Sequence, residues 1–190
     1  MATDCWTCGR SLGFFNKKYY CTGCGATVCS HCVRFLDLSY KVRIYRDIYR
    51  YDENNFFGET FFQLPGVTNP KHTWFGSYYL CPQCASMAES IIQRLRSICD
   101  AIPPVEFVSS NYRGHKDFSG DPIPIESNWY RDFKNAKLQL GIIAAFLGCD
   151  MVLNTAREER TNWEDSDKKG SKGTHYYKEW RYTGYAVKRK

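Results

Sequence analysis

The sequence predicts an α+β protein, with a metal-dense N-terminal module followed by a small α+β domain. Three observations predict it. Eight of the ten cysteines fall into four Cys-x-x-Cys pairs, Cys5/Cys8, Cys21/Cys24, Cys29/Cys32 and Cys81/Cys84, the first three within 32 residues. Apolar residues recur at helical spacing after the fourth pair and again between Asn128 and Leu147. Other segments, such as Tyr40 to Tyr51 and His175 to Val187, alternate as strands do.

Eight thiolates in four pairs match the ligand demand of two tetrahedral Zn²⁺ ions, each pair supplying two neighbouring corners. A disulfide framework is the alternative. No signal-type apolar segment follows Met1-Ala2-Thr3-Asp4, so reduced, metal-bound thiols and a cytoplasmic protein, soluble or peripheral to a membrane, are expected. At 190 residues the chain can bury a real core, so the cysteines do not compensate for shortness. The formal charge of +6 counts thiols as neutral. Two zinc tetrathiolates would add about −4, and the nearly neutral result gives no reason to expect nucleic acid. The longest apolar run, Leu140 to Cys149, is far too short to cross a bilayer.

Residues 1–32 form the metal-dense head. In the long connection that follows, Val42, Ile44 and Ile48 alternate with Lys41, Arg43, Tyr45 and Tyr49, Asp52-Glu-Asn-Asn55 signals a turn, and Phe56 to Leu64 is expected to return as a second strand. Ala85, Ala88, Ile91, Ile92, Leu95, Ile98 and Cys99 then line one face of a helix that Pro103-Pro104 stops. That proline pair sets the expected boundary between domains 1–102 and 103–190. In the second domain, Val105 to Val108 is a predicted strand, Ser127 caps a predicted helix from Asn128 to about Leu147, and Gly148 ends it. Met151 to Thr155 is the next strand, and a polar loop through Lys168-Lys-Gly-Ser-Lys-Gly173 leads to a final strand from His175 to Val187.

The spacings carry a resemblance. Twelve residues separate Cys8 from Cys21, Gly25 follows Cys24, and four residues separate Cys24 from Cys29. In this respect Cys5-Trp-Thr-Cys8, Lys17-Lys18-Tyr19-Tyr20-Cys21-Thr22-Gly23-Cys24-Gly25, Cys29-Ser-His-Cys32 and Cys81-Pro-Gln-Cys84 resemble the FYVE zinc-finger family. The resemblance implies a cross-brace, with one Zn²⁺ on Cys5, Cys8, Cys29 and Cys32 and the other on Cys21, Cys24, Cys81 and Cys84. A sequential pairing, first with second and third with fourth, is the competing arrangement. The connection between the third and fourth pairs is longer than in the family, and an inserted β-hairpin accounts for the excess.

The family's phosphatidylinositol 3-phosphate site places two basic residues and two histidines before the second pair and an arginine after its first cysteine. This chain keeps Lys17 and Lys18 but has Tyr19, Tyr20 and Thr22 in the other places. By the same resemblance Leu12 is a buried residue and Gly13-Phe14-Phe15 lies on the loop that dips into the bilayer. Phe14 and Phe15 beside Lys17 and Lys18 would form an interfacial anchor on an anionic membrane. Alternatively the two rings close the module's small core. RING-type ubiquitin ligases share the two-zinc cross-brace and are a further alternative, although their second pair usually contains a histidine and an aliphatic residue stands where this chain has Thr7.

The last sixty residues, with Leu147-Gly148-Cys149-Asp150-Met151-Val152 and a closing Gly184-Tyr-Ala186-Val187, resemble a small α+β family described as putative heavy-metal-binding proteins. Only Cys149, Asp150 and His175 could be ligands there, and their spacing has no metal logic, so Cys149 is expected in the core. His31 and the basic stretches Lys168 to Lys172 and Lys188-Arg189-Lys190 are expected at the surface. No catalytic constellation stands out, and saturated four-cysteine sites leave no position for a catalytic water. The expectation is a non-enzymatic zinc-binding module that binds a protein partner, with membrane or phosphoinositide binding as the alternative.

Overall fold

The computed structural model describes residues 3–13, 16–36, 38, 56–64, 67, 79–101, 104–111, 116–168 and 171–190. It is α+β and divides into two compact units, Met1–Asp100 and Ala101–Lys190.

Among its described residues, the first unit holds short two-stranded pairings and two helices. Strand β1 (Thr3–Asp4) pairs with β2 (Ser11–Leu12), and β3 (Lys18–Tyr20) pairs with β4 (Thr27–Cys29), both antiparallel. Strand β5 (Arg34–Phe35) pairs with β6 (Tyr79–Leu80), which joins distant parts of the chain. Helix α1 (Phe56–Gln63) stands where the sequence predicts the hairpin's second strand. Phenylalanine and threonine favour strands, but Phe56, Phe57, Thr60, Phe61 and Leu64 are all buried, and i, i+1, i+4, i+5, i+8 is a helical stripe. The predicted first strand, within Tyr40 to Tyr51, lies outside the described residues. Helix α2 (Pro82–Ala101) begins inside the fourth cysteine pair and buries Ala85, Ala88, Ile92, Leu95 and Cys99.

The second unit is a four-stranded sheet, order β7-β9-β10-β8, with helix α3 packed on it. Strands β7 (Glu106–Ser109) and β9 (Met151–Lys168) run parallel, whereas β10 (Ser171–Arg189) is antiparallel to both β9 and β8 (Phe118–Glu126). The sequence reading lacks β8 because Gly120, Pro122 and Pro124 look like loop. As an edge strand it tolerates them, since its outer edge needs no donors. Helix α3 (Phe133–Phe146) starts later than predicted. The Ser127 hydroxyl, expected to cap it, instead accepts from the Tyr182 N–H at 2.9 Å and so prolongs the pairing with β10. Asp132 is the cap, its carboxylate accepting from the Lys134 N–H at 2.8 Å. The helix ends at Gly148, φ 77°, with the Gly148 N–H donating to the Ala145 carbonyl and the Cys149 N–H to that of Ala144. Gln139, fully buried on α3, accepts from the Asn128 N–H at 2.6 Å and donates to the Tyr130 hydroxyl at 2.7 Å, which satisfies its amide.

Candidate metal centres

The first two cysteine pairs sit at hairpin tips with the same local geometry. In the first, Gly9 N–H donates to the Cys5 carbonyl and Cys5 N–H to that of Arg10, both at 2.8 Å. In the second, Gly25 and Cys21 repeat the pattern with Cys21 and Ala26, again at 2.8 Å. Gly9 and Gly25 have φ of 67° and 76°, the left-handed backbone that each turn requires and that glycine adopts without strain. The third pair closes the far end of β4, where Val33 N–H donates to the Cys29 carbonyl at 3.0 Å. The fourth opens α2: Pro82 occupies its first position, and the Cys84 N–H points at the Cys81 Sγ, 3.5 Å away, in place of a capping oxygen.

Hairpin β3–β4 separates two sulfur clusters. Cys21 and Cys24 lie at its tip, Cys29 ends β4 at its base, and Cys32 follows beyond. The first knuckle meets β4 through Trp6 N–H to the Thr27 carbonyl at 2.9 Å, and the Cys29 N–H reaches Cys5 Sγ at 3.4 Å. At the tip, Thr22 N–H donates to the Tyr79 carbonyl at 2.8 Å and so brings β6, and Cys81 after it, alongside. The result is two tetrads, Cys5/Cys8/Cys29/Cys32 and Cys21/Cys24/Cys81/Cys84, each with its sulfurs within 4.8 Å of one another. This is the crossed grouping, not the sequential one.

The geometry fits a tetrahedral metal. Bonds of ~2.3 Å from zinc to sulfur imply sulfur–sulfur edges of about 3.8 Å. The observed separations across the pairs are 3.9 Å for Cys8–Cys29 and 3.8 Å for Cys24–Cys81. A disulfide would need ~2.05 Å, and all ten cysteines are free. Both tetrads bury two cysteines, half-bury one and expose one, Cys8 or Cys24.

Electrostatics point the same way. Burial pushes the Cys5 thiol up, but the backbone N–H groups of Cys29, Cys8 and Thr7 outweigh it and bring Cys5 to about 6. Cys21 falls to about 7 by the same balance, with the N–H groups of Cys81, Cys24 and Gly23. Cys32 is pushed up to about 12 by its Cys29 neighbour and by burial, and burial with the surrounding sulfurs pushes Cys84 up as well. Burial opposes Cys29 too, but the His31 N–H and the Cys32 thiol bring it below its ordinary value, whereas Cys24 lies above its own despite the Ala26 N–H. The first tetrad thus ionises Cys5 and Cys29 and resists at Cys32, and the second ionises Cys21 and resists at Cys24 and Cys84. A cation at the centre removes that resistance.

Among the described residues, the other sequence-predicted residues contribute no ligand to these centres. Lys17 is exposed, its ammonium 5.3 Å from the Tyr19 ring centre, and Lys18 is half-buried on β3 opposite Cys29. Leu12 is buried. Phe14 and Phe15 lie outside the described residues. His31 is exposed, 3.5 Å from the Ser30 hydroxyl. Cys149 is buried in the second unit, Asp150 accepts from the Arg189 N–H at 2.8 Å, and His175 stands opposite Glu164 in the β9–β10 ribbon. Among the described residues these three form no metal group. Gly23 is the contact that sequence reasoning misses: a Cβ there would meet Cys84 Sγ at 3.1 Å, and the small residue between two ligands was its only signal.

Comparison with protein-family models, with curated proteins and with solved structures finds no match to this chain.

Proposed function

We propose that this protein is a non-enzymatic, zinc-dependent interaction module: two structural Zn²⁺ ions hold a FYVE-like cross-brace, and the surface so formed binds a protein partner. The observation that carries the reading is the pair of saturated four-sulfur tetrads at opposite ends of one hairpin. Four thiolates complete the coordination of zinc and leave no site for a reacting water, so the metal's role is to hold the fold. The binding role is supported by the large apolar side chains that the first unit exposes, Trp6, Tyr20, Phe35 and Met87. Beside the second tetrad lies an apolar groove of about 150 Å³, lined in part by Leu36, Phe61, Phe62, Leu80 and Ile91. The partner reading expects a protein retained by the zinc-loaded chain and lost on Phe35→Ser or Met87→Ser with zinc content unchanged.

A membrane contact is the second reading. In sequence, Phe14 and Phe15 stand between buried Leu12 and exposed Lys17. Co-sedimentation with neutral, anionic and phosphatidylinositol 3-phosphate vesicles separates the two. The protein-partner reading expects no sedimentation with any of them. Binding that Phe14→Ser with Phe15→Ser abolishes would replace it with the membrane reading, and preference for the phosphoinositide would restore the ligand of the FYVE family.

A further inference from the structure

The two tetrads share a burial pattern but are closed by different lengths of chain. Cys8 and Cys29 are 21 positions apart, whereas Cys24 and Cys81 are 57 apart. Loop-closure entropy alone then disfavours the second centre by roughly four- to five-fold. Their supports also differ. The first is braced by strands β1 to β4, contiguous in sequence, and by the Trp6–Thr27 and Cys29–Cys5 hydrogen bonds. The second depends on the two-residue pairing of β5 with β6 and on Thr22, whose N–H and hydroxyl both donate to the Tyr79 carbonyl, at 2.8 and 3.1 Å.

Closing the second centre also positions a helix. Cys81 precedes the first residue of α2, Cys84 lies in its first turn, and the Cys84 N–H is directed at Cys81 Sγ. The same centre joins two walls of the apolar groove, Thr22 and Gly23 on one side and Leu80, Cys84, Met87 and Ala88 on the other. Gly23 marks how close the walls come, with 3.1 Å from its notional Cβ to Cys84 Sγ.

We propose that the Cys21/Cys24/Cys81/Cys84 centre is a metal-gated latch: it yields its zinc before the other centre, and its opening releases the start of α2 from the Thr22–Gly23 turn and parts the groove. The inference rests on the zinc reading above and adds an order and a consequence to it. Falling zinc availability would then dismantle the groove while the Cys5/Cys8/Cys29/Cys32 centre keeps β1 to β4 in place.

The test is graded chelation of the zinc-loaded full chain, with released zinc measured by a colorimetric dye and freed cysteines alkylated and located by peptide mass mapping. The expected result is two steps. Cys21, Cys24, Cys81 and Cys84 are labelled at a chelator concentration several-fold below that needed for Cys5, Cys8, Cys29 and Cys32, and ellipticity at 222 nm falls with the first step. Gly23→Ala, which crowds Cys84 without removing a ligand, should move the first step several-fold lower and leave the second unchanged. Labelling of all eight together, labelling of the first tetrad before the second, a first step without loss of helical signal, or a Gly23→Ala shift of both steps would overturn the latch. A chain that purifies without two zinc ions would overturn the zinc reading itself, an outcome that elemental analysis registers before any chelator is added.

Discussion

Cys5 and Cys21 concentrate the chemistry of their clusters, because backbone N–H groups rather than cationic side chains hold their thiols to about 6 and about 7. A folded-state value below the ordinary one means that stability is fully present above the ordinary thiol range and is lost as pH falls through the folded value. Metal binding has the same sign, since protons compete with the cation for sulfur. Acid titration followed by zinc release should therefore show the first unit losing metal and structure as pH falls. Stability that rose on acidification would contradict this assignment. In the second unit, a Cβ at Gly184 would stand 2.5 Å from Val152 Cγ1 and 2.9 Å from the Leu153 carbonyl oxygen. Gly184→Ala is expected to destabilise by ~1–3 kcal/mol, read as a lowered Tm of that unit. Asp132→Ala, which removes the α3 cap, should cost about 1 kcal/mol.

At the scale of elements, what was legible followed from how clearly each element writes its period. Helix α2 was readable because Ala85, Ala88, Ile92, Leu95 and Cys99 form one clean stripe and are the residues buried. The β9–β10 ribbon was half legible. Met151 and Val152 gave away the start of β9, but Arg157, Glu158, Glu159 and Arg160 hid its continuation. These charges belong in a strand because β10 answers them: Arg160 pairs with Glu179 and Lys178 with Glu159, both at 2.7 Å, and Arg181 with Glu158 at 2.9 Å. Such partners come from another part of the chain and leave no local signal. Helix α1 failed for the opposite reason, since residue type suggested a strand while spacing dictated a helix. Within α3, Leu140 is fully buried, and Leu140→Ala should lower stability by ~2–5 kcal/mol in urea unfolding. Arg160→Ala, at a partly exposed pair, should cost less than ~1 kcal/mol.

For the whole molecule, the cysteine spacing carried the candidate site almost completely, because metal ligands must be specific residue types at specific intervals. The division of the eight cysteines was the part left open between crossed and sequential, since it depends on which end of β3–β4 each pair reaches. Among the described residues no helix is long and apolar enough to cross a membrane. On the proposed zinc reading, with structural zinc contributing ~10–16 kcal/mol per site in small peptides, the first unit is expected to depend on metal and the second, which buries Leu140, Ile143, Met151 and Val152, is expected to hold without it. Hydrogen exchange after chelation should therefore show loss of protection within 1–100 and retention within 101–190. The most direct test of the central claim is native mass spectrometry of the purified, reduced chain. The account predicts a mass with two zinc ions per chain, falling to one in Cys8→Ser with Cys29→Ser and in Cys24→Ser with Cys81→Ser. A metal-free mass, or a folded chain whose zinc count is indifferent to both double substitutions, would contradict it.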